Sequence, residues 1–467
     1  MEAETKQWPT QMTRPERRAI GKVVRERLPL AGLAETGMPI IGRDTVRLIG
    51  EQNAGRLEWL IPIRYGRMLR SPFTFYRGTA ALMAHDLAFA PASGLNVQLC
   101  GDAHLLNFGV YGSPERSLIF DLNDFDETLP GPFEWDVKRL VASVVIAARD
   151  RGFKPKRQRE IAFATAERYH AAMREFAELT SLETWHRQLE VDVALQTVVD
   201  DDWRDYVASV ADRARGKDHL HAVTRFTEVV NGERRIIADP PLIVPLMDVV
   251  ALLGEDPTEL VRQAFLEYRG SVRDDVQVLL DRYTYVDSAI KVVGVGSVGT
   301  RCVIVLMQGV DENDLLFLQV KEARTSSLEP YLAPSQYAHC GQRVVAGQRL
   351  MQSASDAFLG WATGPQGRHF YWRQLRDWKG SADVEKMSER LLLRYGQVCA
   401  WTLAKAHARS GDAVAIAAYL GSSNRFESAL THFGVAYADL NEEDYLALQQ
   451  AVGDGRVVAH DDAKSNE

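Results

Sequence analysis

The chain contains 467 residues, of which 46% are hydrophobic and 25% are charged. This composition is ordinary for a globular protein, and the length is sufficient for the cores of two or three domains. The 63 acidic residues outnumber the 55 lysines and arginines and give a net charge of −8, which excludes a non-specific binder of nucleic acid or of anionic membranes.

Cysteine usage and the N-terminal sequence indicate a cytoplasmic location. The four cysteines are far apart and form no CxxC pair, which fits neither a disulfide framework nor a zinc site and suits a reducing compartment. The polar N-terminus lacks the apolar core of a signal peptide, and no apolar run approaches the ~20 residues of a transmembrane helix. We therefore expect a soluble cytoplasmic protein without a membrane or nucleic-acid partner.

Changes of pattern along the chain predict an α+β protein with four regions. Residues 1–55 form an N-terminal arm with helices, and residues 56–284 form a mainly helical lobe that contains one short β region. Residues 285–380 form a small β-rich lobe, because apolar strands there alternate with glycine-rich and polar turns. Residues 381–467 are predicted to form C-terminal helices that pack on the helical lobe.

One stretch of the helical lobe, residues 101–126, combines a polar loop, a hairpin and a group of carboxylates. The carboxylates follow an apolar strand, and they are Asp121, Asp124 and Asp126. Carboxylates gathered at a strand end repel one another, so a fold rarely keeps them without a cation or a reaction to serve. A loop aspartate (Asp102), an asparagine five residues later (Asn107) and a second aspartate beyond a hairpin are the parts of a phosphotransferase. One carboxylate accepts the proton of the acceptor hydroxyl, and the amide and the other carboxylate hold Mg²⁺ on the phosphates.

The same residues leave two other interpretations open. Asp102 and Asn107 are also common turn residues, because their side chains hydrogen-bond locally to the backbone. His104 is favoured as an orienting or structural imidazole, but a metal-dependent hydrolase would use it together with Asp102, Asp121 and Asp124.

The β-rich lobe begins with a glycine-rich turn. The strand Ile290–Val293 runs into Gly294, Gly296, Ser297 and Gly299, which match the dinucleotide fingerprint GxGxxG. That fingerprint requires a helix after the glycines, whereas here the residues TRCVIVLM predict a strand. A strand, a glycine loop and a second strand are typical of the phosphate-covering loop of a kinase, and the alternative is an ordinary glycine-rich hairpin turn.

A lysine follows on the next predicted strand, LLFLQVKE. A strand lysine after a glycine loop, here Lys321, is the residue that grips nucleotide phosphates in kinases, where a helix glutamate holds it in place. Glu322 should face away from Lys321, since adjacent strand residues point to opposite faces. Glu329 is therefore the nearest downstream candidate for the pairing glutamate.

These motifs resemble aminoglycoside- and choline-kinase-like phosphotransferases. The run CGDAHLLN is similar to their catalytic loop H-G-D-x-H-x-x-N, with Cys100 in place of the first histidine, and LNDFDE is similar to their metal-binding I-D-F-x-D. The resemblance implies that Asp102 is the catalytic base and that Asn107 and Asp124 are Mg²⁺ ligands. Asp126 would be an auxiliary ligand.

Over most of its length the chain also resembles an uncharacterised bacterial family, the domain of unknown function 2252. This family has no settled activity to carry over. The shared words are SPFTFYRG, GDAHLLNFG, DLNDFDE, FEWDVKRL, QVKEA, LAKAHARSGD and YADLNEEDY.

The order of the motifs differs from that of kinases. Kinases place the glycine loop and the lysine before the catalytic loop, whereas the segment Gly294–Lys321 follows Asp102. The helix WTLAKAHARSG resembles the one that leads directly into the catalytic loop, yet it lies near the C-terminus. One circular permutation of a two-lobed, protein-kinase-like fold accounts for both displacements.

The sequence thus predicts an ATP- and Mg²⁺-dependent phosphotransferase that acts on a hydroxyl of an unidentified small molecule. The alternatives are a metal-dependent phosphohydrolase, a regulatory module that binds nucleotide with little or no turnover, and an AMP transferase.

Overall fold

The structure is a computed structural model that describes residues 12–37, 43–217, 219–249, 256–375 and 378–462. Parts of the predicted N-terminal arm, at residues 1–11 and 38–42, and the end of the predicted C-terminal region, at residues 463–467, lie outside these ranges.

The helices occupy both halves of the chain and flank the strands. In chain order they are α1 (Arg14–Arg27), α2 (Thr45–Glu51), α3 (Ile61–Met68), α4 (Pro72–Arg77), α5 (Ala80–Leu87), α6 (Glu134–Asp150), α7 (Pro155–Glu178), α8 (Ser181–His186), α9 (Val191–Thr197), α10 (Asp201–Arg215), α11 (His219–Phe226), α12 (Pro257–Ser271), α13 (Asp274–Leu280), α14 (Cys340–Met351), α15 (Glu389–Ser410), α16 (Ala413–Leu420) and α17 (Arg425–Gly453).

The strands form one large sheet and three small ones. They are β1 (Asn96–Leu99), β2 (Phe108–Gly112), β3 (Leu118–Leu122), β4 (Leu129–Pro132), β5 (Thr227–Val230), β6 (Glu233–Ile236), β7 (Ile243–Pro245), β8 (Thr284–Lys291), β9 (Cys302–Gln308), β10 (Leu315–Ala323), β11 (Gly360–Thr363), β12 (His369–Gln374) and β13 (Gly380–Ser381).

The predicted α+β class is confirmed. The large sheet has six antiparallel strands in the order β11-β12-β10-β9-β8-β7. It contains the predicted meander of three strands, β8, β9 and β10, and extends it on both sides. Helices cover both of its faces: Tyr268 of α12 stacks on Trp372 on one face, and Phe226 of α11 packs edge-on against Phe317 on the other.

Strand alternation decides which residues of β10 face which helix. Leu318 and Val320 belong to the core on the α12 face, whereas Phe317 belongs to the core on the α11 face. Lys321 lies four residues after Phe317 and therefore on the same face as it, since side chains along a strand alternate with a period of two. The sheet thus directs Lys321 away from α12 and from the neighbouring Glu322.

The main helical core is built around α6. Every residue from Glu134 to Ala148 is buried, which is typical of a helix at the centre of a helical assembly. α7, α15 and α17 pack around it, and aromatic side chains such as Phe133 and Tyr169 fill the space between them. Among the residues that the structure describes, no helix combines the length and apolar character needed to cross a bilayer.

The loop between β1 and β2 depends on one glycine. Gly101 has φ +84°, and a Cβ atom there would lie 2.4 Å from the carbonyl oxygen of Glu127. Only glycine accepts this backbone conformation at this approach without strain. The turn brings the predicted catalytic loop against the segment that follows β3.

Candidate functional site

The loop that carries Asp102 is fixed to the helical core through its backbone. Asp136, in the first turn of α6, accepts hydrogen bonds from the amides of Cys100 and Gly101 at 2.8 and 3.1 Å. His407 of α15 lies 3.3 Å from the same carboxylate, and the hydroxyl of Tyr169 lies 2.8 Å from the other ring nitrogen of His407. Two buried helices, α6 and α15, thus determine where the loop begins.

Asp102 is held by a buried arginine. Its Oδ1 accepts a hydrogen bond of 2.9 Å from Nε of Arg139. The Nη2 atom of Arg139 donates to the carbonyl oxygen of Tyr76 at 2.6 Å. Burial raises the pKa of Asp102 to about 6, while Arg139 acts in the opposite direction and Asp124 adds a smaller raising effect. A carboxylate that titrates near neutral pH is suited to accept a proton during a reaction.

His104 and Asn107 occupy supporting positions around Asp102. The Nδ1 atom of His104 accepts from the amide of Leu106 at 3.2 Å, and its Nε2 lies 3.7 Å from Asp102 Oδ2. Burial and the nearby arginines Arg77 and Arg139 lower the pKa of His104, so the imidazole is neutral. Asn107 Nδ2 donates to the carbonyl oxygen of Asp102 at 2.8 Å. This bond leaves Oδ1 of the Asn107 side chain as the atom able to coordinate a cation.

The three carboxylates at the end of β3 do not form one group. Asp121 is fully buried and forms a salt bridge with Lys405 of α15, and the amide and hydroxyl of Ser353 each donate to it at 3.2 Å. The side chains of Asp124 and Asp126 keep 34% and 29% of their surface exposed. The structure therefore separates Asp121 from the candidate site.

Lys321 lies directly against the other two carboxylates. Its Nζ is 2.7 Å from Asp126 Oδ2 and 3.4 Å from Asp124 Oδ1, although 195 and 197 residues separate them along the chain. Burial alone would lower the pKa of Lys321, but the charges of Asp124 and Asp126 outweigh it and raise the pKa. Asp126 shows the reverse: burial acts to raise its pKa, but Lys321 and the hydroxyl of Tyr371 hold it below its usual range.

The glycine-rich turn contacts one of these two carboxylates, Asp126. Ser297 Oγ donates to Asp126 Oδ2 at 3.3 Å. The turn contains a short 3₁₀ helix, Val295–Ser297, and it connects β8 to β9. The prediction of strand, glycine turn and strand is confirmed, and the turn is not followed by the helix that a dinucleotide-binding fingerprint requires.

The prediction that Glu329 pairs with Lys321 is wrong. Glu329 accepts a bond of 3.4 Å from the amide of Ser326, whereas the salt bridges of Lys321 go to Asp124 and Asp126. The helix after β10, α14, has the sequence CGQRVVAGQRLM and contains no carboxylate, so it supplies no glutamate for a lysine. Glu322 faces away from Lys321, as expected, and pairs with Arg301 and Arg368.

Two adjoining cavities share the predicted catalytic and metal-binding residues. We call the smaller one, of about 150 Å³, the lysine cavity because Lys321 lines it. We call the larger one, of about 390 Å³, the arginine cavity because Arg56 and Arg324 line it. Residues that line both cavities are Arg77, Asp102, Asn107, Asp124, Gly296 and Ser297.

The side chains around these cavities fit a magnesium ion held partly by phosphate. No cluster of three or more His, Cys, Asp or Glu side chains able to hold a metal ion occurs within the described ranges. Asn107 and Asp124 offer two oxygen ligands, and Mg²⁺ commonly binds through one or two carboxylates together with substrate phosphates. The oxygens of Asp126 are already bonded to Tyr371, Lys321 and Ser297.

The residues that the alternative metal-dependent hydrolase would use as ligands do not lie together in the structure. Asp121, one of its predicted members, points into the helical core toward Lys405. Asp102 and His104 remain together, but Asp102 is bonded to Arg139.

The sequence reasoning missed Arg139 and Tyr371. Arg139 follows Asp136 by one helical turn on α6, and Tyr371 lies on β12 directly opposite Lys321 in the strand register. The helical spacing places Arg139 near Asp136, and this was the only available signal. No signal in the sequence indicates Tyr371, because nothing in the sequence predicts that β12 pairs with β10.

The comparisons with known proteins place the chain in a family. Residues 56–451 match the model of a family described as an uncharacterised protein conserved in bacteria, DUF2252. The match covers most of the chain, so the chain belongs to this family, as the shared words predicted. No curated protein and no solved structure matches the chain.

Proposed function

We propose that this protein is an ATP- and Mg²⁺-dependent phosphotransferase that acts on a hydroxyl group of a small molecule. The observation that carries the proposal is the contact of Lys321 Nζ with Asp124 and Asp126, at 3.4 and 2.7 Å. The glycine turn and the strand lysine follow the proposed metal-binding aspartate at a long distance in the sequence. A phosphoryl-transfer site requires all three within reach of one bound nucleotide.

A circularly permuted, kinase-like arrangement is part of the proposal. It is supported by α15, the helix whose sequence resembles the one before a kinase catalytic loop. The hydroxyl of Tyr395 on this helix donates to the carbonyl oxygens of Leu105 and Phe108 at 2.9 and 3.1 Å. The helix near the C-terminus thus contacts the loop that it would directly precede in an unpermuted chain.

In the proposed reaction Asp102 orients and deprotonates the acceptor hydroxyl. The hydroxyl oxygen bonds to the γ-phosphorus, the bond from that phosphorus to the bridging oxygen breaks, and ADP leaves. The proton passes to Asp102, whose pKa of about 6 allows it to be ionised at neutral pH and still accept a proton. Arg139 holds the carboxylate in position through its bond to Oδ1.

The remaining residues position and neutralise the phosphates. Asn107 and Asp124 would hold Mg²⁺, which supplies positive charge to the β- and γ-phosphates when bound. The Gly294–Gly299 turn would cover the phosphates, and Lys321 would neutralise their charge. Phosphate oxygens entering the lysine cavity would then compete with Asp124 and Asp126 for the ammonium of Lys321.

The decisive experiment compares Lys321→Ala with Lys386→Ala, whose exposed lysine pairs with Asp383 on the surface. Unfolding of each protein is followed with and without millimolar ATP and Mg²⁺, and ADP release is measured in parallel. We expect ligand stabilisation of the natural chain and of Lys386→Ala, by about 2.7 kcal/mol when nucleotide exceeds its Kd a hundredfold. Lys321→Ala should lose most of this stabilisation and of the turnover.

The other outcomes identify the alternative functions. Turnover that persists in Lys321→Ala would favour the metal-dependent phosphohydrolase. Stabilisation by ATP without any turnover would favour a regulatory nucleotide-binding module, and release of pyrophosphate in place of ADP would favour an AMP transferase. A natural chain that gains no stability from ATP and Mg²⁺ would contradict the phosphotransferase.

A further inference from the structure

The arginine cavity has an uneven distribution of charge in its walls. Its acidic side chains already have partners within the protein. Glu322 pairs with Arg301 at 3.2 Å and Arg368 at 3.1 Å, and Glu51 pairs with Arg47 at 2.5 Å. The carboxylate of Glu127 accepts from the amide of Ser327 at 2.6 Å.

Two arginines of the same cavity have only neutral partners. Arg56 donates to the carbonyl oxygens of Gln52 and Val298 at 3.0 and 2.5 Å. Arg324 donates to the carbonyl oxygens of Gln52 and Ala54 at 3.4 and 2.6 Å. Within the described part of the chain, neither guanidinium lies within salt-bridge distance of a carboxylate.

A third arginine increases the positive charge behind this wall. Arg64 is fully buried and bonds to neutral groups, the side-chain oxygens of Asn53 and Gln52, at 2.7 and 3.1 Å. Burial lowers the pKa of Arg56, and the like charges of Arg64 and Arg324 lower it further. The carboxylates of Glu127 and Glu322 act in the opposite direction but do not offset these effects. A partly buried cationic group that no carboxylate contacts directly is costly, so an anion that binds there gains more than it would beside a direct ion pair.

We propose that Arg56 and Arg324 form an anion subsite that binds a phosphate or carboxylate group carried by the hydroxyl acceptor. This inference rests on the proposed phosphotransferase function and assigns it a substrate class, an anionic alcohol. Guanidinium groups suit this role because their planar donors match the oxygens of phosphate and carboxylate. The backbone carbonyls that hold Arg56 and Arg324 fix both groups before the ligand arrives.

The position of Asp102 explains why the subsite serves the acceptor. Asp102 lines both cavities, so an acceptor held by its anionic group in the arginine cavity can present its hydroxyl to this carboxylate. The nucleotide phosphates would occupy the lysine cavity on the other side, next to Lys321. The acceptor hydroxyl and the γ-phosphate would then meet at Asp102, within the ~3 Å reach that proton transfer requires.

The test uses glycerol 3-phosphate as the anionic probe and glycerol as its neutral counterpart. Binding to the full-length chain is measured by isothermal titration calorimetry for the natural protein, Arg56→Gln and Arg324→Gln. We expect the natural chain to bind glycerol 3-phosphate but not glycerol, and each variant to bind about tenfold more weakly, as loss of a charge-assisted hydrogen bond predicts. Arg262→Gln, which removes an exposed arginine paired with Glu259, controls for net charge and should bind like the natural chain.

Two further comparisons keep the test independent of folding and of nucleotide binding. Arg56→Lys retains the charge and should recover part of the affinity if Arg56→Gln has lost it through charge. Arg56→Gln and Arg324→Gln should keep the stabilisation by ATP and Mg²⁺ that the natural chain shows, since the nucleotide phosphates would lie in the other cavity.

Several results would overturn the inference without touching the proposed function. These are failure of the natural chain to bind glycerol 3-phosphate at about 20-fold excess over protein at millimolar concentration, or equal binding by the natural chain and both glutamine variants. Loss of ATP stabilisation in Arg56→Gln and Arg324→Gln, with probe binding intact, would assign the arginines to the nucleotide and also overturn it. Failure of the phosphotransferase itself is a separate result, the absence of any ATP effect on the natural chain.

Discussion

Two aspartate–lysine pairs begin within the same short segment and lie in opposite surroundings. The side chains of Asp121 and Lys405 are 0% and 1% exposed, inside the helical core. Lys321 is equally buried at 4%, but its partners Asp124 and Asp126 keep 34% and 29% of their side-chain surface open to a cavity. We call the contact of Asp121 with Lys405 the closed pair, and the contact of Lys321 with its two aspartates the half-open pair.

This difference in exposure distinguishes a structural pair from a pair whose members can exchange partners with a ligand. A closed pair has its lone pairs satisfied, here by Ser353 as well as Lys405, and removing one member leaves an unpaired buried charge. A half-open pair is partly solvated, so a ligand can replace one of its members at lower cost. We therefore expect mutations of the first pair to affect stability and mutations of the second to affect activity.

The largest expected effect is on activity, from Asp124→Asn. In the proposed phosphotransferase Asp124 is a ligand of Mg²⁺, and its loss should reduce phosphate transfer on the order of 10³-fold. Stability should fall by less than about 1 kcal/mol, because Asp124 is partly exposed and Lys321 keeps Asp126. Initial rates and urea unfolding test both parts, and a stability loss as large as that of an Asp121 variant would remove the distinction between the pairs.

The complementary change, Asp121→Ala, should act on folding. It leaves Lys405 charged and unpaired in the core, at an expected cost of about 3–5 kcal/mol in the free energy of unfolding. Replacing both residues, as in the double variant Asp121→Leu with Lys405→Met, should recover most of this loss. Urea denaturation measures the effect, and a loss below about 1 kcal/mol would show that the pair contributes little.

A smaller effect is expected on the pH dependence of kcat/KM. In the proposed reaction Asp102 must be ionised to accept a proton, so the rate should rise with pH through its pKa of about 6. Arg139 lowers that pKa, so Arg139→Gln should move the midpoint to higher pH, by roughly one unit for each 1.36 kcal/mol of lost interaction. Arg139→Lys keeps the charge and should shift the midpoint less. An unchanged profile in Arg139→Gln would exclude Asp102 as the titrating group.

The smallest effect should come from Tyr371→Phe. This change removes the hydroxyl that donates to Asp126 Oδ1 at 2.6 Å but leaves the contacts of Asp126 with Lys321 and Ser297. We expect a stability loss of about 1 kcal/mol, the net value of one hydrogen bond, and a phosphate-transfer rate within about fivefold of the natural chain's. A loss of activity comparable with that of Asp124→Asn would mean that the half-open pair does not tolerate rearrangement.

Local patterns in the sequence were sufficient to predict the β-rich part of the candidate site. Apolar runs on both sides of a glycine turn predict β8 and β9, and the period of two of side chains along a strand places Lys321 and Glu322 on opposite faces of β10. These features depend on steric and hydrophobic preferences over a few neighbouring residues. The family was likewise recognisable from short shared words.

Tertiary packing decided the partners of the charged residues. Lys405, which separates Asp121 from its neighbours, lies 284 residues further along the chain, and no spacing rule connects the two. The sequence offers Glu329 as the nearest downstream glutamate that could face Lys321, whereas the partners of Lys321 come from the hairpin segment nearly two hundred residues earlier. The sequence determined which side chains were available and which way the strands direct them. Only the folded chain determined which charges meet, because a salt bridge depends on distance in space and on burial, and both are set by long-range packing.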